Sequence, residues 1–148
     1  MSVLKIIVDN DPILRRKSKA VEKITKRLQI LVKDMLETMY QAEGVGLAAP
    51  QIGINERLIV VDVGDGPVVL FNPKIMQQEG TQRDLEGCLS LPGKNEYVTR
   101  ADKVVVAGID LSGRKVTYEG SGLLARAFQH EIDHLEGILF IDHLEKEQ

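Results

Sequence analysis

The clearest chemistry in the sequence is the segment His130-Glu131-Ile132-Asp133-His134, two histidines four apart with a glutamate directly after the first. On a helix, residues four apart project from one face about a turn from each other, close enough to grip one metal ion. Glu131 falls one residue further round, beside such an ion rather than on it. That placement suits a general base acting on a water at the ion. The alternative is a pair of core histidines bonded to backbone or carboxylates. The spacing, with a glutamate inside it and on an apolar helix face, argues against that.

A catalytic site of this kind usually has three protein ligands and one open position. The extended pattern H-E-x-x-H-x-x-G-x-x-H fails here: Gly137 fits, but Phe140 stands at the last histidine position. His143 is off that spacing, in a polar tail, and is expected to be solvated. Glu136, Glu145 and Glu147 read as surface charges near the chain end, although spacing alone leaves their carboxylates open. The third ligand is expected from upstream, and Cys88 is the leading candidate. It lies in the turn-rich stretch Glu86-Gly87-Cys88-Leu89-Ser90-Leu91-Pro92-Gly93, and a thiolate is a strong ligand for a borderline-soft divalent ion. Spacing by itself does not prove this ligand.

The elements that must position these residues can be read in outline. A helix is expected from about Gly122 to Leu135, with Ser121 as N-cap and Gly137 just past its end. Leu123, Ala127, His130 and His134 share one face; Leu124, Phe128, Ile132 and Leu135 form a second apolar stripe beside it. A helix apolar over so much of its circumference is buried. A second helix is expected from Thr25 to Ala42, with Ile24, Leu28, Leu31, Met35 and Met39 in one stripe and Gly44 as the stop.

Strand-like runs lie at Leu58 to Val63, Val68 to Phe71, Val104 to Ile109 and Lys115 to Tyr118, the last two joined by a hairpin turn at Leu111-Ser112-Gly113-Arg114. Residues 77–84 fit a loop or an exposed strand. The expected fold is α+β: a single domain over 1–148, with mixed or antiparallel strands around a buried C-terminal helix.

Composition narrows the function classes. With 148 residues, 43% of them hydrophobic, the chain can build one core but not two comfortable ones. A formal net charge of -3 does not suggest a nucleic-acid surface. The one dense cationic run, Arg15-Arg16-Lys17-Ser18-Lys19, reads as a solvated loop or the start of a helix. No run approaches the ~18 apolar residues of a membrane span, and residues 1–11 lack a secretory signal. A single cysteine forbids an internal disulfide and points to a reducing compartment.

Three segments stand in order: Gly44-Val45-Gly46-Leu47-Ala48-Ala49-Pro50-Gln51, Glu86-Gly87-Cys88-Leu89-Ser90 and Gln129-His130-Glu131-Ile132-Asp133-His134. Together they resemble the three signature motifs of the peptide deformylases, and the resemblance runs from about Asp11 to about Asp142. It implies an α+β metallohydrolase that removes the formyl group from N-formylmethionine on nascent polypeptides, met at the ribosome, in the bacterial cytoplasm or as the mature form of an organelle enzyme. It also implies one divalent ion, often Fe²⁺, on Cys88, His130 and His134; Zn²⁺, Ni²⁺ or Co²⁺ can occupy the same ligands.

By the same resemblance, the Gln51 amide and the Leu89 backbone N–H donate to the oxyanion, while Glu131 moves the proton. Gly46 and Gly87 are expected to let the substrate backbone come close. Val45, Leu123 and Ala127 are expected to wall the methionine pocket, with Arg100 at its mouth. Two rivals share the H-E-x-x-H segment: a metallopeptidase acting on internal peptide bonds, and a non-enzymatic module with a structural metal. The second would need a fourth protein ligand.

Overall fold

The computed structural model describes residues 2–147, with side chains through 144. Helix α1, Lys26–Gln41, starts where the Thr25 hydroxyl accepts from the Leu28 N–H. It ends in two backbone bonds, Glu43 N–H to the Tyr40 carbonyl and Gly44 N–H to the Met39 carbonyl. The left-handed residue of this stop is Glu43, at φ 58°, directly before Gly44. At Gly44 a Cβ would lie 2.9 Å from Leu89 Cδ1, the end of a side chain that can turn away.

The strands are β1 Gly46–Ala48, β2 Leu58–Val61, β3 Val68–Glu79, β4 Gln82–Cys88, β5 Leu91–Arg100, β6 Lys103–Ile109 and β7 Lys115–Ser121; helices α2, Gly122–Leu135, and α3, Ile141–Glu147, follow. Five strands form a sheet in the order β1-β2-β3-β6-β7, and β4 with β5 forms a separate ribbon. Every pairing of these strands is antiparallel.

Strand β2, Leu-Ile-Val-Val, is apolar throughout because both faces of the sheet are covered there. Leu58 and Val60 pack with Leu28, Val32, Met35 and Met39 of α1. Ile59 and Val61 pack with Ala125, Ala127, Phe128, Ile132 and Leu135 of α2. Side chains alternate across a strand, so one run serves two cores. Helix α2 is thus clamped to the sheet, and truncating its fully buried Phe128 to alanine would cost about 3–5 kcal/mol.

Helix α2 has the expected limits, and the structure is the expected α+β domain. Gly137 closes it in the left-handed region, at φ 75°, with its N–H on the His134 carbonyl. A Cβ on Gly137 would also lie 2.5 Å from the Arg15 carbonyl oxygen, so glycine is required there twice over. Ser121 precedes the helix, but its side chain makes no capping bond. Residues 77–84 are strand: the exposed end of β3, a turn, and the start of β4. The ribbon's second strand, β5, has no counterpart among the runs read from sequence. It packs through Leu91 and Val98 on Leu139 and Phe140, beyond α2.

Candidate active site

Helix α2 carries His130 and His134 on its buried face, with ring centroids 5.0 Å apart. The third group arrives on β4. Its pairing with β5 slips between Gly87 and Cys88, a bulge that re-aims the last residue of the strand. Cys88 Sγ lies 3.3 Å from His134 Nε2. One donor atom from each of Cys88, His130 and His134 falls within 4.8 Å of the other two.

His130 is held from behind. Its Nδ1 is 2.6 Å from Glu86 Oε1, which leaves Nε2 for the front of the site. Glu86 is a hub. Arg100 grips it with two bonds of 2.7 Å, and Arg126 Nη1 bonds its Oε2. Burial disfavours the Glu86 charge, yet the bonds from His130 and Arg100 outweigh burial and hold its carboxyl well below the usual range. Arg100 also reaches Asp133 at 3.0 Å, and Asp133 takes His143 at 2.8 Å. His143 is therefore paired rather than solvated as expected. Glu136 pairs with Arg57 at the surface, whereas the side chains of Glu145 and Glu147 lie outside the described residues.

Glu131, next to His130, is buried, and its Oε1 has no hydrogen-bond partner. Burial is the main cause that pushes its carboxyl up to about 7; the His130 and Arg100 charges pull the other way, and Glu86 and Asp133 add to the rise. Burial also drives His134 well below the ordinary histidine value, helped by the His130 and Arg100 charges. For His130, burial works against the cation, but bonds to Cys88 and Glu86 and the Glu131 charge lift it to about 10. Two buried imidazoles and one thiol, with donor atoms converging from α2 and β4, fit a borderline divalent cation. Among the described residues this is the one such group of three, and no fourth donor closes it.

Cys88, His130 and Glu131 face a cleft of about 490 Å³. Gln51 sits in its wall, 1% exposed. The Ala48 N–H donates to its Oε1 at 2.9 Å, which orients the amide so that Nε2 faces Ser90 Oγ at 3.1 Å and Cys88 Sγ at 3.6 Å. Leu89 lies in the turn after β4, and Val45, Gly46, Gly87, Leu123 and Ala127 are also in the lining. The structure therefore gathers every residue singled out from the sequence except one. Arg100 is not at the mouth; it is buried behind His130, where its guanidinium is used up by Glu86 and Asp133. A larger hollow, about 740 Å³ over β3, β6 and β7, is lined by such residues as Gln77, Lys103 and Glu119 and holds none of these groups.

The two glycines of the lining also lie close to protein side chains. A Cβ on Gly46 would strike Glu131, and one on Gly87 would lie 2.6 Å from Asn95 Oδ1. Both make room for protein side chains. Sequence reasoning passed over Glu86, Arg126 and Ser90. The available signal was a charged residue inside the cysteine segment, two positions before Cys88 in a strand, where side chains alternate faces.

The fold and the site together define a metallohydrolase: a helix-borne H-E-x-x-H pair completed by a strand-borne cysteine. The polypeptide deformylase family profile matches residues 3–148. The peptide deformylase of Alkaliphilus metalliredigens is 53% identical over 147 residues, 99% of this chain and 100% of that one. That of Halothermothrix orenii is 56% identical over 144 residues, covering 96% and 94%. The crystal structure of the Ehrlichia chaffeensis peptide deformylase in complex with actinonin superposes with a TM-score of 0.96, at 39% identity, over 99% of this chain and 91% of that one. The chain belongs to the peptide deformylase family. No helix among the described residues is long and apolar enough to cross a membrane.

Proposed function

We propose that this chain removes the formyl group from the N-terminal formylmethionine of newly made polypeptides, with residues 1–148 acting as one catalytic domain. Cys88, His130 and His134 hold the ion, Glu131 moves the proton, and Gln51 with the Leu89 N–H receives the developing charge. The observation that carries this reading is the meeting of three donor atoms within 4.8 Å beside a buried carboxylate whose Oε1 has no partner.

A divalent cation there supplies Lewis acidity, polarising the formyl carbonyl and acidifying a water. Glu131 takes a proton from the attacking water as its oxygen bonds to the formyl carbon. It returns that proton to the amine when the C–N bond breaks, releasing formate. Gln51 Nε2, already turned toward Cys88 by the Ala48 bond, and the Leu89 N–H donate to the carbonyl oxygen as charge builds. Glu86 keeps the His130 ring in register from the far side.

The peptide lies as a short strand in the cleft between β1 and β4, with the methionine side chain against Val45, Leu123 and Ala127. Leu123 is half exposed, so it stands at the pocket rim. The native ion in this reading is Fe²⁺, with Zn²⁺, Ni²⁺ and Co²⁺ as ions the same donors accept. The setting is the bacterial cytoplasm, on chains leaving the ribosome; the bacterial relatives and the single free cysteine support it.

The test is an anaerobic assay with metal analysis on a formylated tripeptide and its unformylated twin. Formate release in proportion to bound metal, with the twin left intact, is the expected result. Cleavage of the unformylated peptide between residues would refute the reading and favour a metallopeptidase. For the ion, the iron form should lose activity in air, and the nickel form should persist. An iron form fully active after prolonged aeration, with Cys88 reduced, would count against Fe²⁺ beside this thiolate.

A further inference from the structure

Glu131 is buried to 4% exposure, yet its Oε1 takes no hydrogen bond. What lies against the carboxylate is a glycine. A Cβ built on Gly46 would sit 2.5 Å from Glu131 Oε2, 2.8 Å from Cγ and 2.9 Å from Cδ. All three distances are shorter than side chains tolerate, so something would have to move.

The surroundings leave little give. Strand β1 is buried at all three residues and registered on β2 through Gly46–Val61, Leu47–Val60 and Ala48–Ile59. Helix α2 is fixed to the same sheet by Ala127, Phe128 and Ile132. Gly46 is not among the left-handed residues, so its backbone does not require glycine. Room does.

We infer that Gly46 is a positioning residue for Glu131: its missing side chain forms the slot in which the carboxylate lies over β1. The inference rests on Glu131 as the base of the proposed reaction. Hydrogen bonds to a carboxylate would place it too, but they favour the charged form and occupy the oxygens that must receive a proton. Packing against a bare Cα fixes the group and leaves Oε1 available.

The test is a crystal structure of metal-loaded Gly46→Ala, with kinetics of Gly46→Ala, Glu131→Ala and the double variant. In Gly46→Ala the Glu131 carboxylate should shift by about 1 Å or more, with metal content unchanged. Turnover should fall by roughly 10–10²-fold, the scale of a misplaced catalytic group, with little change in KM. In the Glu131→Ala background no γ atom remains to meet the new methyl, so the same alanine should cost the residual turnover under about twofold. If Gly46→Ala does not fold but the double variant does, the slot is confirmed by rescue.

Three outcomes overturn the inference: a Glu131 that superimposes on the wild type, equal losses in both backgrounds, or failure of both variants to fold. A rise confined to KM, equal in both backgrounds, would return Gly46 to the role of admitting substrate backbone. Full activity of Glu131→Gln would remove the base but not the predicted shift, so the two claims fail separately.

Discussion

His130 and Glu131 are adjacent on α2 and are held in opposite ways. Behind His130 stands a dense charge network in which Glu86 bonds the ring and is itself gripped by Arg100 and Arg126. Beside Glu131 there is a bare glycine, and Oε1 has no partner. A ligand must keep one orientation, and charged hydrogen bonds supply it. A base must keep its lone pairs, and close packing leaves them free. The two halves of one motif therefore call for two kinds of support, and substitutions should separate them.

The largest effect falls on the ligands. Cys88→Ala, His130→Ala and His134→Ala should each lose most bound metal and nearly all activity, read by metal analysis and formate release. A Cys88→Ala protein with full metal content at limiting metal would remove Cys88 from the site. Next comes Gln51→Ala, which should lower turnover by about 10²–10³-fold with metal retained, if its amide is a main oxyanion donor. A change confined to KM would mean that Gln51 only positions substrate.

Glu86→Ala attacks the support behind the ligand. Metal affinity should weaken by about 10–100-fold, the usual scale for a partner that orients a ligand. Stability should fall too, because two buried guanidinium groups lose their carboxylate. Unchanged metal affinity would show that His130 needs no such partner. The smallest effect is expected at His143→Ala. Its pair with Asp133 is partly exposed, so about 1 kcal/mol or less, roughly 2–4 °C of Tm at most, should be lost. Metal and activity should stay near wild type.

Much of this contrast was legible in the sequence on one side and hidden on the other. The limits of α2, the histidine spacing and Gly137 follow from helical period and capping, which act over four or five residues. Strand β2 declared itself because both of its faces are buried. The β4–β5 ribbon did not: Lys94, Asn95 and Glu96 are exposed, and few apolar side chains anchor β5, so no alternation marks it. Arg100 was misplaced for a related reason. Its partners Glu86 and Asp133 lie 14 and 33 positions away, and pairing at that range is set by the fold. Gly46 was read as a place where the substrate backbone comes close; that Glu131 lies against it is set by the fold and by no local pattern.

The most direct test of the division between ligand and base is Glu131→Gln, assayed for metal and turnover on the same preparation. The substitution keeps size and shape but cannot take a proton at neutral pH. Metal should remain near one ion per chain while turnover falls by about 10²-fold or more. Parallel loss of metal and activity would make Glu131 part of the ligand scaffold, and retained activity would mean that the proton is moved by another group.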